Sequence, residues 1–171
     1  MTMRVTIGAR KGNSLGSALI RAAQGWRSWS HTADLLPDLR TTVECLALDG
    51  GVVTRTLHDL HARSGDWIAL AWQCDADKAA ETDRWLRQQE GKGYDWGGAV
   101  GTAWAQMRDW QDPERWYCSE LSAMRAHLAG ALPLSPYIRG VMPTACVDLL
   151  IAAGAVMLDR DALLDGEVVP Q

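Results

Sequence analysis

Two spacings of apolar positions divide the chain: strand-like alternation dominates its middle, and helical spacing its flanks. Arg4 to Ile7 is a short β-like run. Ser14 to Gln24 places Leu15, Ala18, Leu19 and Ala22 at helical spacing, with Ser14 as cap and Gly25 as stop. Trp29 to Leu36 and Thr41 to Leu48 follow as strands around a Pro37-Asp38 turn. Asp49-Gly50-Gly51 signals a hairpin into Val52 to Leu57, and Asp66 to Gln73 is a further strand. Asp77 to Glu90 is a helix with an acidic first turn and Gly91 as its stop. Gly93-Tyr94-Asp95-Trp96 is a loop before a Gly/Ala-rich helix, Gly97 to Met107. The turn-like Gln111-Asp112-Pro113 then precedes a helical run from Leu121 to Ala129, closed by Gly130. Pro143 to Ala153 is a last helix with proline in its first turn, and Ala155 to Leu158 a final strand. No repeat, low-complexity segment or linker interrupts the pattern. Residues 1–171 are therefore expected to form a single α+β domain, with helices around an antiparallel sheet.

Composition narrows the function. Charged residues make up 22% and the net charge is −4, without a basic stripe, which argues against nucleic acid as a partner. No apolar run reaches the ~20 residues that a membrane helix needs. The start, Met-Thr-Met-Arg-Val-Thr-Ile-Gly, has no apolar segment of the signal-peptide kind. The expectation is a protein that is cytoplasmic as synthesised, with export by another route left open. Cys45, Cys74, Cys118 and Cys146 form no CxxC pair, which fits reduced thiols and gives no zinc cluster. The glycines around Lys11 lack the spacing of a phosphate loop. No cofactor or metal is expected. Nine Trp and no Phe leave indoles both for the core and for a groove wall.

The chemistry centres on Arg115-Trp116-Tyr117-Cys118-Ser119-Glu120-Leu121. Cys118 falls in the first turn of a helix, where unpaired N–H groups and the positive end of the helix dipole favour a thiolate. A working thiolate also needs a base, usually a histidine, and that histidine needs an orienting partner. His127 lies nine residues up the same helix, about 13 Å away, which is too far. His58 and His61 flank Asp59 and Leu60 in what reads as a solvated loop, without a further metal ligand nearby. His31 opens a strand. If the turn centres on Pro37-Asp38, partner numbers sum to 75 and His31 faces Glu44. Directly opposite residues share a face with Cβ atoms about 5 Å apart. Asp34, three residues along, points to the other face.

In their order these residues resemble the permuted NlpC-type cysteine peptidases with a papain-like fold, in particular the YiiX/YaeF-like group. The likeness covers about Val5 to Leu150. It includes the helix leading into Trp29-Ser30-His31, the Val43-Glu44-Cys45 strand, the Gly93-Tyr94-Asp95 loop, the Tyr117-Cys118-Ser119-Glu120-Leu121 helix start, and Met142-Pro143-Thr144. The histidine precedes the cysteine, which is the permuted order. Thr32-Ala33-Asp34 departs from the small apolar residues that the family tends to place after its histidine.

The resemblance implies a papain-like permuted fold, with an antiparallel sheet or small barrel against helices. It makes Cys118 the nucleophile, His31 the base and Glu44 the orienting residue. It also implies hydrolysis of an amide or isopeptide bond, with a peptidoglycan-type peptide as one substrate class. The related lecithin:retinol-acyltransferase-like group offers an acyl substrate instead. A non-catalytic binding domain of the same fold is a third reading. Tyr94, Trp29, Trp96 and Trp116 are candidates for a substrate wall, though Tyr94 and Trp96, with Asp95, read more simply as a loop anchor. Buried positions suit the other three cysteines, and a lone cysteine is ordinarily a small buried hydrophobe.

Overall fold

The computed structural model describes residues 2–12, 14–63, 66–101, 112, 114–133 and 140–166. Its hub is β1 (Thr2–Lys11), paired antiparallel with β2 (His31–Leu35) on one edge and β5 (Asp66–Asp75) on the other. β3 (Thr41–Leu46) and β4 (Gly51–Thr56) continue beyond β2, and β6 (Val156–Leu158) flanks β5. The open six-stranded sheet has the order β4-β3-β2-β1-β5-β6. β1 is longer than its apolar run predicts. Val5 to Ala9 are buried on both faces, and β5 pairs with β1 along its whole length.

Each face of the sheet is covered. On one side Val5, Ile7 and Leu70 pack against Ala123 and Ala126 of α5 (Cys118–Leu128) and Val147 of α6 (Pro143–Ala152). Val43 and Cys45 meet Tyr117 and Leu121 on the same side. On the other side Ala33, Leu35 and Trp67 pack against Leu57 and Leu60 of α2 (Leu57–Ala62) and Leu163 of α7 (Arg160–Asp165). α1 (Leu15–Ala23), α3 (Ala76–Gln88) and α4 (Trp96–Val100) complete the helices among the described residues.

The predicted elements are present with shifted ends, and two helices are additional. The segment with His58 and His61 is α2, not a loop. Thr56 Oγ1 accepts from the Asp59 N–H and the Asp59 carboxylate accepts from the Thr56 N–H, a capping box that needs no apolar period. α7 is likewise capped by Asp159 and ended by Gly166 at φ 74°. The helix predicted from Gly97 to Met107 begins within α4, and its residues 102–107 lie outside the described residues. So do Gln111 and Pro113 of the predicted turn.

The β2–β3 register also differs from the prediction. Asp34 pairs with Val43 and Leu35 with Thr42, so partner numbers sum to 77 rather than 75. The connection is longer than a Pro37-Asp38 turn. The Asp38 carboxylate accepts from the N–H groups of Arg40 and Thr41, and Leu39 turns left-handed at φ 54° to bury its side chain. A shift of two residues preserves the face, because side chains alternate with period two. His31 and Glu44 therefore still share a face, offset along it rather than directly opposite.

α5 is tied to β2 by buried polar groups that the apolar pattern does not reveal. Ser122 Oγ donates to Asp34 Oδ2 at 2.8 Å, and Arg125 Nη1 donates to the Thr6 and Leu35 carbonyls at 3.1 and 3.0 Å. Arg125 also pairs with Asp34 and Asp83. Thr32 and Asp34 thus face α5. A buried guanidinium is costly unless its charge is paired like this, and here Nε is the one nitrogen left without a partner. Leu121 packs fully buried beside this network; truncation to Ala would cost roughly 2–5 kcal/mol.

Candidate active site

The site forms where β2 and β3 part. Their ladder holds only the pairs Asp34–Val43 and Leu35–Thr42, so His31 to Ala33 have no β3 partner. Leu36 N–H donates to the Thr41 carbonyl, toward β3. Two-residue alternation points Asp34 and Thr32 N–H the same way. With β3 absent there, Thr32 N–H meets the start of α5, where Cys118 Sγ accepts it. The splayed strand pair supplies the gap, and the helix start fills it with a thiol.

Cys118 is the first residue of α5, and the cap residue Tyr117 gives the helix no side-chain cap. Ser119 N–H also donates to Cys118 Sγ. His31 is hydrogen-bonded to Cys118, while its Nε2 lies 2.9 Å from Glu44 Oε2. With Nε2 held by Glu44, Nδ1 is the nitrogen left for the thiol. Glu44 is fully buried, and its other oxygen accepts from Arg63 Nη2 at 2.9 Å and Thr42 Oγ1 at 3.1 Å.

Charge follows from this geometry. Burial opposes ionisation of Glu44, but its bonds to His31 and the nearby Arg63 and Arg10 overcome it and hold its pKa down at about 2. Burial also opposes charge on His31, yet Cys118 and Glu44 on its two sides raise its pKa. Burial would keep Cys118 neutral, but His31 and the N–H groups of Thr32 and Ser119 lower its pKa. Cys45, Cys74 and Cys146 move upward, chiefly through burial. Of the four cysteines, Cys118 alone is arranged to ionise.

A cleft of about 630 Å³ opens onto Cys118 and His31. Leu15 and Ile20 of α1, Leu46, Leu48 and Trp96 give it apolar walls. Tyr94 is there too, its ring stacked at a tilt on Trp96 with centroids 4.9 Å apart. Trp29 and Trp116 are elsewhere. Trp29 packs against the core beside α6, and its backbone bonds Thr144. Trp116 is buried edge-on to Trp85, with its indole N–H on Gln89. An indole N–H needs a partner when buried, and Gln89 draws this one inward.

Two of the three histidines outside the site are hydrogen-bonded locally. His61 Nδ1 accepts from the Trp67 indole at 3.0 Å, and His127 Nδ1 bonds the Leu132 carbonyl. Arg10, Arg63, Thr32 and Asp34 were missed as members or supports of the site. The cross-strand position of Arg10, directly opposite His31, requires the β1–β2 register.

The described residues thus define an α+β protein in which an open antiparallel sheet supplies a buried imidazole and carboxylate, and a helix start brings a buried thiol to them. A solved structure with this fold is the metalloprotein YiiX from Escherichia coli O157:H7, described with the label DUF1105. It shares 18% identity over 92% of this chain and 96% of that chain, with a TM-score of 0.64. No family model and no curated protein matches the chain. Among the described residues no group of three or more His, Cys, Asp and Glu is placed to hold a metal ion. His31 stands between Cys118 and Glu44, so these three donors point into one another rather than at a common centre. No helix among the described residues is long and apolar enough to cross a membrane.

Proposed function

We propose that the protein is a cysteine hydrolase of papain-like, permuted design, acting on an amide or isopeptide bond. The observation that carries this reading is the continuous contact from Glu44 through His31 to Cys118 at a helix start. Cys118 Sγ attacks the carbonyl carbon, forming a C–S bond as the carbonyl electron pair moves to oxygen. The Cys118 N–H, at the first helical position, has no carbonyl of its own helix to bond and is available to the oxyanion. The C–N bond then breaks, and His31 delivers its proton to the departing amine. Water attacks the resulting thioester while His31 takes a water proton, and the thiolate leaves. Glu44 keeps the imidazolium oriented throughout. A peptidoglycan-type peptide remains within this class of substrate.

The apolar walls support a second substrate reading, an acyl ester or acyl-lipid donor. A short acyl amide and the matching ester, incubated separately with the protein and followed by mass spectrometry, test both. An adduct of the acyl mass on Cys118, absent from Cys118→Ala, is expected; the faster substrate identifies the bond. Product formation at the same rate in Cys118→Ala would remove the thiol from the mechanism. Absence of any turnover or adduct favours the non-catalytic binding domain.

A further inference from the structure

Among the described residues three arginines line the cleft, and two of them hold carboxylates. Arg55 pairs with Asp49 at 2.8 Å. Arg63 gives Nη2 to Glu44 and Nε to the Asp59 carbonyl. Arg10 is different. It stands directly opposite His31 across the β1–β2 ladder, so the two side chains share a face. Its Nη1 donates to the Arg63 carbonyl at 2.9 Å; its Nε is buried without a partner, as is that of Arg55, so the difference lies in the carboxylate that Arg55 has and Arg10 lacks. Among the described residues no carboxylate lies within ion-pairing distance of it. Glu44 and Cys118 are near enough to be felt as charges, but Glu44 already holds His31, Arg63 and Thr42. A guanidinium on a cleft wall with unused donors favours a two-oxygen anion.

We propose that Arg10 is a carboxylate-recognition residue, and that ligands of the cleft carry a free carboxylate close to the amide or ester presented to Cys118. The position of that bond rests on the hydrolase reading; the carboxylate subsite itself does not. Apolar walls and a single unmatched arginine together select an apolar acyl group joined to a small acidic unit. An amide in place of the carboxylate keeps shape and hydrogen bonding but loses the charge.

The test separates binding from chemistry by using full-length Cys118→Ala protein. The probes are N-octanoyl-alanine and its neutral primary amide, N-octanoyl-alaninamide, with dissociation constants read by calorimetry. With Arg10 present, the acid should bind roughly tenfold or more tighter than the amide, as expected for one charge-assisted contact. Arg10→Gln should abolish that preference while leaving amide binding within about threefold, and Arg10→Lys should retain part of it. Equal affinity for the two probes in the Arg10 protein overturns the proposal. So does an Arg10→Gln loss that is the same for both probes, which would mark a structural role. Failure of the acid to bind at millimolar concentration overturns it as well. Thermal unfolding of each variant, with melts matching the parent, ensures that the losses are local. Since the Cys118 thiol is removed, these outcomes are independent of whether Cys118 is a nucleophile.

Discussion

Cys118 and Cys146 occupy comparable places. Cys118 is the first residue of α5 and Cys146 the fourth of α6; both are buried near a helix start on the same side of the sheet, and neither helix has a side-chain cap. Their thiols are nonetheless driven in opposite directions. Cys146 sits in the apolar cluster with Val5, Ile7 and Leu150, where burial raises its pKa. Cys118 is penalised by burial too, but an imidazole and two aimed N–H groups reverse the balance. The helix start alone therefore does not make a thiolate here. A cation within hydrogen-bond reach does, and only Cys118 has one.

The largest expected effect is in reactivity. Near pH 6, iodoacetamide should label Cys118 at least ~10³-fold faster than Cys146, because a raised thiol has a negligible thiolate fraction there. Mass spectrometry of the digested protein reads both sites. His31→Ala removes the imidazolium, so the Cys118 pKa rises and its labelling at pH 6 should fall by about 100-fold, recovering at higher pH. Equal labelling of the two cysteines, or an unchanged pH profile in His31→Ala, would break the contrast.

Glu44 sharpens the contrast through stability. Glu44→Gln strips His31 and Arg63 of a buried carboxylate and should cost about 3–5 kcal/mol in chemical denaturation at pH 7. Its folded pKa is about 2 against an ordinary 4.5. A lowered carboxylate stabilises the fold above its unfolded pKa, and that contribution fades as pH falls through the folded value. Roughly 3 kcal/mol should therefore be lost by the native protein between pH 4.5 and 2, and this part of the acid loss should be missing in Glu44→Gln. Cys118 labelling should drop less than in His31→Ala, because the imidazole remains but is held less firmly. Identical acid denaturation of the two proteins would assign the carboxylate no such role.

The smallest effect is expected from Cys146→Ala. A cysteine acting as a small hydrophobe leaves a modest void, costing about 1 kcal/mol, with Cys118 labelling unchanged. A change in Cys118 reactivity would show that the two thiols are coupled through the core.

Much of the fold was legible because its signals are local. Ser14, Gly25, Gly91, Pro143 and the Asp49-Gly50-Gly51 turn mark element ends by their own backbone chemistry. α2 was missed because Thr56 and Asp59 announce it by capping, in a helix too short for a period. Trp29 and Trp116 were expected on the cleft wall; a sequence shows that an indole is present, not which cavity it enters. Thr32 and Asp34, which looked like departures in a strand, face α5 and hold it through Ser122 and Arg125.

By itself the sequence determined the alternating and helical segments, the placement of a cysteine at a helix start, and the sharing of one strand face by His31 and Glu44. The last follows from the two-residue period, and it holds even though the register differs by two. Only the tertiary structure decided that β2 and β3 part beyond Asp34 and Val43, that Cys118 enters that gap, and that Arg10 stands beside His31. These depend on where chains distant in sequence come to rest, and on a balance between burial and charge that no single segment contains.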